Sequence, residues 1–189
     1  MSDGKRWHID EANSVAARVQ QQIEHYCERI EVVGSVRRGK REVGDVELLF
    51  IPKFDNRQID MFVTRPIDTA HERIIALANT GFLAKRLNKE GHIAGWGTKN
   101  KLAVFVENGM PVDLFSTTAD DWWVSLVIRT GGKYSNLRLT TGANILNRTL
   151  NAYGCGVTDR KTGIVTAATS ERHVFELCGV PYQEPEDRG

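Results

Sequence analysis

The stretch from residue 33 to residue 48 constrains the fold of this chain most. It reads Val-Gly-Ser-Val-Arg-Arg-Gly-Lys-Arg-Glu-Val-Gly-Asp-Val-Glu-Leu. An apolar strand ends at Gly34-Ser35, a basic polar segment follows, and a second strand begins at the carboxylates Asp45 and Glu47. Because side chains alternate between the two faces of a strand, both carboxylates point the same way. The stretch therefore predicts a sheet that carries two acidic groups on one polar face.

The residue types in this stretch suit a metal ion and a phosphate. Two neighbouring carboxylates repel each other unless a cation lies between them, and hard oxygen ligands suit Mg²⁺ or Mn²⁺. Upstream, Gly34 would let a phosphate approach the backbone, Ser35 offers a hydroxyl and an amide, and Arg37 or Arg38 offers forked donors. Each element alone is also compatible with a solvated sheet face. Together they indicate a nucleoside triphosphate carried on a metal ion.

Composition places the chain among ordinary folded proteins. Its 189 residues allow one sizeable core, or a compact domain with a smaller appendage, and 41% apolar and 26% charged residues are typical globular values. No signal-peptide pattern opens the sequence and no run of 18 apolar residues occurs. We expect a monomer of the cytoplasm with no membrane partner. The three widely spaced cysteines predict reduced, packed thiols.

The charge distribution is uneven although the net charge is only +1. Residues 73–101 contain six basic side chains and one acidic side chain, and residues 122–148 contain four basic and no acidic ones. A protein that grips a nucleic-acid backbone needs such local basic surface, whereas the total charge alone does not indicate one. A solvated helix face is the alternative interpretation. The DNA contacts predicted from these stretches are Lys99, Lys101, Lys133 and Arg138.

Periodicity predicts alternating helices and strands in the first half. We expect a helix from Asp10 to about Glu28, strands over residues 30–33 and 46–51, and a weak edge strand over 57–64. A second helix should begin at Asp68 or Thr69 and end near Gly81. The glycine-rich segment 91–97 predicts a loop, and its His92 carries no predicted catalytic role.

A hairpin follows, with a third carboxylate on its returning strand. Residues 101–107 and 110–115 are apolar runs joined by Asn108-Gly109, the strongest short-range hairpin signal. Asp113 lies between two apolar neighbours, so it could stand beside Asp45 and Glu47 on the polar side of the same sheet. Three carboxylates there would hold two Mg²⁺ ions, although an aspartate on a hairpin is otherwise often surface decoration.

The last third of the chain predicts a smaller domain. Helices are expected over 122–129, 134–152 and 170–177, with a break at 130–132 and two short strands at 155–160 and 161–167. The closing Glu-Pro-Glu-Asp predicts a polar tail. No long flexible linker precedes this region. We therefore expect one domain over residues 1–118 and a second, closely packed domain over 119–189.

Two separated motifs resemble one enzyme family. Val33-Gly34-Ser35 and Asp45-Val46-Glu47-Leu48 match the signature of the nucleotidyltransferase superfamily related to DNA polymerase beta, and Thr130-Gly131-Gly132 followed by Asn136 resembles the Thr-Gly-Ser turn of the DNA polymerase X family. Segments between Ser170 and Arg188 resemble the way those polymerases end. The resemblance implies an α+β fold: a palm with a mixed or antiparallel sheet and helices on one face, then a small α/β thumb.

The resemblance also implies roles for individual residues. Asp45 and Glu47 would ligate both metal ions, and Asp113 would ligate the catalytic ion and help to activate the primer 3′-hydroxyl. The reaction would be in-line attack on the α-phosphate of a dNTP with pyrophosphate leaving, supported by two Mg²⁺ ions that Mn²⁺ can replace. The implied nucleotide-binding residues are Gly34, Ser35, Arg38 and Gly44 at the phosphates, Thr130 and Gly131 at the sugar, and Asn136 at the nucleotide or minor groove.

Three departures from the family pattern leave alternatives open. Glu47 stands where the family normally has aspartate, and Ile128-Arg129 stands where it often has an aromatic pair that bears on sugar choice. With about thirty residues before the first strand, we expect no deoxyribose-phosphate lyase activity. The predicted function is short-gap filling in DNA repair by a minimal viral or phage polymerase. The alternatives are a template-independent or non-DNA nucleotidyltransferase, with an RNA end, protein or small-molecule acceptor, and an inactive binding module.

Overall fold

The computed structural model describes residues 5–189, and these form two compact units. The first unit contains residues 5–32 and 42–116, and the second contains residues 33–41 and 117–189. The sequence predicted a single boundary after residue 118, whereas the Gly-Ser segment groups with the second unit. In chain order the helices and strands are β1 (Trp7–His8), α1 (Ile9–Ile23), β2 (Cys27–Val33), α2 (Gly34–Arg37), β3 (Glu42–Val43), β4 (Val46–Pro52), β5 (Phe54–Gln58), β6 (Thr64–Asp68), α3 (Thr69–Asn79), β7 (Leu83–Lys85), β8 (Asn100–Phe105), β9 (Met110–Ser116), α4 (Trp122–Thr130), α5 (Lys133–Ile145), β10 (Arg148–Leu150), β11 (Gly156–Asp159), β12 (Val165–Ala167) and α6 (Glu171–Leu177).

A five-stranded mixed sheet organises the first unit. Its strand order is β2-β4-β9-β8-β7, in which β4 and β9 run parallel while β8 pairs antiparallel with both β9 and β7. Helices α1 and α3 pack against each other and both pack on β4, so they cover one face of the sheet. The predicted α+β class with a mixed sheet and helices on one face is confirmed.

Helix α1 ends earlier than predicted. Its buried residues recur at helical spacing, and the His8 side chain, not Asp10, caps its first turn by accepting from the Asp10 amide. The predicted end near Glu28 is wrong because a 3₁₀ turn over Glu24–Tyr26 follows and Cys27 already enters β2. The apolar spacing continues through this turn, so the sequence pattern does not mark the change.

The predicted edge strand at 57–64 is a hairpin instead. Strands β5 and β6 form their own two-stranded antiparallel sheet, and residues 59–63 form the turn between them. The Asp60 carboxylate accepts from the amides of Phe62 and Val63 at 2.8 and 2.9 Å, which shapes the turn. Asp60 is therefore an exposed turn residue.

Capping fixes the start of α3 where the sequence predicts it. The Asp68 carboxylate accepts from the His71 amide at 2.7 Å, and the helix ends at Asn79, just before Gly81. After this helix comes β7, a three-residue edge strand that the sequence did not predict. Such a short strand shows no periodicity, and only its pairing with β8 defines it.

The second unit surrounds its own apolar core. Helix α5 ends at Ile145 instead of running to residue 152, because Asn147 adopts a left-handed backbone with φ of 56° and β10 then pairs with β11. Helix α6 lies close to the predicted range 170–177, and the Ser170 side chain caps it by accepting from the His173 amide at 3.0 Å. Within residues 5–189 no helix is long and apolar enough to cross a membrane. The core side chains are Val124, Val127, Leu139, Ala143, Val157, Ala168, Val174, Phe175 and Cys178.

Candidate active site

A polar row crosses the sheet of the first unit. Glu47 on β4 and Asp113 on β9 are register partners, and Asp113 in turn is paired with Leu102 on β8. The row continues to Arg86, which directly follows β7 and donates its amide hydrogen to the Leu102 carbonyl at 2.9 Å. Residues in one row across a sheet present their side chains on the same face. The fold therefore places the two carboxylates side by side and Arg86 two strands farther along the same row.

Arg86 is a residue that the sequence did not single out. Its Nη2 lies 2.9 Å from Oδ1 of Asp113 and 3.2 Å from Oδ2, so it binds the carboxylate through both oxygens. The two side chains are only 27% and 12% exposed, and water therefore screens the pair less than an ion pair on the open surface. Arg86 was one of six cations in a basic stretch, and without β7 nothing in the sequence distinguished it.

Asp45 completes the acidic set. It is partly buried and lies immediately before β4, two residues ahead of Glu47. Across residues 5–189, no three or more side chains of His, Cys, Asp or Glu lie close enough together to hold a metal ion. The Asp113 carboxylate is instead bound by Arg86. Gly44, the remaining predicted residue here, is partly buried, and a Cβ there would lie 3.5 Å from Nη1 of Arg6.

The donor chemistry of these residues fits a divalent ion. Asp45, Glu47 and Asp113 supply carboxylate oxygens, which Mg²⁺ and Mn²⁺ prefer, and two of the three face each other across neighbouring strands. Each is buried or partly buried, so its charge is less screened than on the open surface. A metal ion at Asp113 would meet the cation Arg86 there. These three carboxylates are the residues that would hold a metal ion.

The second unit contains the Gly-Ser segment in a one-turn helix. Gly34 begins α2 with φ of +65°, a conformation that favours glycine. The Ser35 hydroxyl is buried, and no other described residue hydrogen-bonds to it. Buried hydroxyls in folded proteins normally have a partner. An unsatisfied Ser35 hydroxyl fits the predicted contact with a ligand oxygen.

A buried carboxylate ties α2 to the end of the chain. Glu171 accepts two hydrogen bonds from Arg37 at 2.8 Å each and one from Arg188 at 2.7 Å. Burial would raise the pKa of Glu171, but the hydrogen bonds and charges of the two arginines outweigh burial and lower it. Arg188 is fully buried and its guanidinium lies over the ring of Phe175. Glu184, Glu186 and Asp187 are exposed, as the predicted polar tail requires, whereas the Arg188 that follows them belongs to the core.

Both arginines of the Gly-Ser segment also hold the turn after α4. Arg37 donates to the Thr130 hydroxyl at 2.6 Å, and Arg38 donates to the Thr130 carbonyl at 2.5 Å. Thr130 is completely buried. One nitrogen of Arg38, which the family resemblance assigns to phosphate, is thus used to position this turn. The conformation of the Gly-Ser segment and that of the turn are coupled through these bonds.

Asn136 closes the same turn from the other side. Its Nδ2 donates to the carbonyls of Ile128 and Gly131 at 2.9 and 3.3 Å, so both hydrogen bonds of this nitrogen are made within the protein. Gly131 is required by close approach, because a Cβ there would collide with the Asn136 side chain and lie 3.2 Å from the Val127 carbonyl. Thr130, Gly131 and Asn136 therefore form one compact turn.

The four predicted DNA contacts differ in accessibility. Lys133 is exposed at the start of α5, and Lys99 is exposed just before β8. Arg138 is partly buried and donates to the Pro181 carbonyl at 2.7 Å. Lys101 is only 1% exposed, and burial lowers its pKa although the Asp68 carboxylate raises it in part. The predicted DNA contact at Lys101 is corrected accordingly, because a buried ammonium cannot reach a phosphate without opening the core.

Two family models match the chain in the order of its two halves. The model described as DNA polymerase beta palm matches residues 6–103, and the model described as DNA polymerase beta thumb matches residues 125–189. Asp113 lies between the matched ranges. A comparison with curated proteins found no match. The palm match alone covers more than half of the sequence, and it includes both the Gly-Ser segment and the Asp45-x-Glu47 pair. The chain therefore belongs to the DNA polymerase X family, the family of DNA polymerase beta, of which it carries the palm and the thumb.

Proposed function

We propose that this protein is a DNA-directed DNA polymerase that transfers a nucleotide from a dNTP to a primer 3′-hydroxyl. The observation that carries the proposal is the register pairing of Glu47 with Asp113, with Asp45 two residues upstream, in a chain that matches the family's palm. Such a row supplies acidic ligands on one face of a rigid sheet. Rigid placement of charged groups is what phosphoryl-type transfer demands of a protein.

Each carboxylate has a role in this proposal. Asp45, Glu47 and Asp113 would hold divalent metal ions, and Asp113 would also accept the proton of the primer 3′-hydroxyl as its oxygen attacks. When bound, the metal ions supply electrostatic stabilisation of the attacking and departing oxygens. Asp113 sits on β9, between the neighbouring strands β4 and β8, so it is held by backbone pairing on both sides. This placement favours a fixed position for the group that meets the hydroxyl.

The Gly-Ser segment and the turn after α4 would serve the nucleotide. The Ser35 hydroxyl, with no hydrogen-bond partner among the described residues, suits a phosphate oxygen, and Arg38 adds positive charge. Gly34 and Gly44 would leave the backbone accessible to the phosphates. Thr130 and Gly131 would shape the sugar pocket, and Asn136 would contact the nucleotide through an amide already oriented by two carbonyls.

We further propose gapped or primed DNA as the acceptor, with Lys99, Lys133 and Arg138 near its backbone. Lys133 supports this because it is exposed at the beginning of α5, while Arg138 on the same helix is steadied by the Pro181 carbonyl. Short-gap filling in repair is the biological role that we propose. A non-DNA acceptor is the second candidate, and the net charge of only +1 favours it.

Single-nucleotide incorporation tests the proposal. The purified protein is given a duplex with a one-nucleotide gap, each of the four dNTPs and rNTPs in turn, and Mg²⁺ or Mn²⁺. Template-matched incorporation that Asp45→Ala abolishes is the expected result, and the rNTP lanes show what Ile128-Arg129 does to sugar choice. Nucleotide transfer to RNA, protein or a small molecule, with none to DNA, would instead support the second candidate.

A further inference from the structure

The ribbon formed by β5 and β6 ends in an apolar tip, residues 59–63. Its Met61 and Phe62 side chains are 79% and 90% exposed, although turn residues are usually polar because they lie in water. The Asp60 carboxylate accepts from the amides of Phe62 and Val63, and these bonds order the turn that carries the two apolar side chains. The tip is therefore an apolar projection of defined shape.

The second unit carries an apolar groove beside α5. Tyr134, Leu137 and Ile145 on the outer face of this helix are 74%, 57% and 79% exposed, whereas the outer face of a helix in a folded protein is normally polar. These side chains and the turn at Gly179 and Val180 line a cavity of about 420 Å³. Exposed apolar residues that cluster in this way are typical of a surface that contacts another molecule.

The tip and the groove match in size and in charge. A methionine and a phenylalanine side chain are small enough to enter a cavity of about 420 Å³ together. The ribbon, residues 54–68, contains three aspartates and two arginines, so its net charge is −1. Helix α5 contains Lys133 and Arg138 and no acidic residue. Opposite charge favours contact between a tip and a groove over contact between two grooves, which repel each other.

We propose that this protein self-associates, and that the tip of one copy inserts into the α5 groove of a second copy. One chain carries both halves of the contact, so no other partner is required. Because the two surfaces differ, the contact either closes when two copies insert reciprocally or adds copies head to tail. The contact is small, so we expect a dissociation constant on the order of 100 µM. This inference is independent of the proposed polymerase function and departs from the monomer expected from the sequence.

Sedimentation equilibrium of the full chain tests the proposal. The average mass of the wild type should rise over an about hundredfold range of concentration around that constant. A tip variant with Met61→Ser and Phe62→Ser, and a groove variant with Leu137→Ser and Ile145→Ser, should each associate at least about tenfold more weakly. All four side chains are exposed, so both variants should keep the fold and unfold in dilute solution at the same temperature as the wild type.

Mixing the two variants separates an inserted tip from general apolar adhesion. The groove variant keeps an intact tip and the tip variant keeps an intact groove, so together they retain one complete contact. We expect the mixture to form a complex with one copy of each, at concentrations where neither variant associates alone. Ile164→Ser supplies the matched control: this side chain is 65% exposed and lies outside both surfaces, so its replacement should leave association unchanged.

Three results would overturn the proposal. The first is a wild type that remains monomeric throughout the concentration range. The second is self-association that either the tip variant or the groove variant retains in full, because two like surfaces or other surfaces would then form the contact. The third is a mixture of the two variants that does not associate although the wild type does.

Discussion

Glu47 on β4 lies directly opposite Asp113 on β9, in the middle of a parallel pair of strands. Neighbouring strands lie about 4.8 Å apart, so the two carboxylates come close without any loop to position them. Their separation cannot relax much, because backbone hydrogen bonds fix the register on both strands. The pair therefore gives the palm a rigid acidic site, where the proposed metal ions would relieve the repulsion between the two carboxylates.

Substitution at Glu47 separates charge from length. Glu47→Gln should lower nucleotide incorporation by at least about a hundredfold, because a neutral amide replaces one charged ligand. Glu47→Asp keeps the charge and introduces the residue that the family normally has, so we expect activity within about tenfold of the wild type. Initial rates over a Mg²⁺ titration measure both. Full activity in Glu47→Gln would remove this side chain from the site.

Glu171→Gln should destabilise the second unit by roughly 3 kcal/mol, because Arg37 and the fully buried Arg188 lose their shared anion. Urea unfolding at pH 7 measures the loss. The exposed pair Arg29–Glu31 supplies the control, since Glu31→Gln should change stability by less than about 0.5 kcal/mol.

The pH dependence of that loss checks its cause. The pKa of Glu171 in the folded protein lies below the ordinary value of 4.5, so its charge stabilises the fold above that value and stops doing so as the pH falls through the lower folded pKa. The stability difference between wild type and Glu171→Gln should therefore shrink in acid. An undiminished difference at pH 3 would show that the carboxylate charge is not responsible.

Lys101→Met should stabilise the protein by about 1 kcal/mol at pH 7, because burial lowers the pKa of this lysine and its charge opposes folding. The unfolded chain binds the proton more tightly, so the cost is complete below the folded pKa and disappears as the pH rises towards the ordinary value of 10.5. Unfolding curves at pH 7 and pH 10 test this. A destabilised variant at pH 7 would mean that the ammonium is well compensated in the fold.

DNA affinity should depend on the exposed lysine and not on the buried one. Lys133→Gln should weaken binding of a gapped duplex about threefold to tenfold and reduce the salt slope by about one, since one phosphate contact is lost. Lys101→Met serves as the matched control and should leave the affinity unchanged. Fluorescence anisotropy over a range of salt concentrations distinguishes the two. Equal loss in both variants would contradict the assignment.

Local signals in the sequence predicted the elements that local chemistry determines. The Asn108-Gly109 turn and the Asp68 cap both act within a few residues, and both are present where expected. The predicted end of α1 near Glu28 was wrong, and the edge strand predicted over 57–64 is part of a hairpin over 54–68. There the apolar spacing fits two structures equally well, and only pairing with distant residues decides between them.

The residues of the candidate site show the same difference between local signals and contacts with distant residues. Asp45, Glu47 and Asp113 belong to motifs, so the sequence could name them. Arg86 and Arg188 could not be found, because their importance comes from partners that lie far along the chain. Arg86 meets Asp113 two strands away, and the buried Arg188 is paired with Glu171. In the sequence both look like surface arginines.

We propose that the carboxylate row supports template-directed nucleotide transfer, and incorporation into a gap is the measurement that tests this proposal. Incorporation of a single dNTP is measured opposite each of the four template bases in a one-nucleotide gap with Mg²⁺, for the wild type and for Asp113→Asn. We predict incorporation of the matched nucleotide, reduced at least about a hundredfold by the substitution. Incorporation that is equal in the two proteins, or that ignores the template base, would contradict the account.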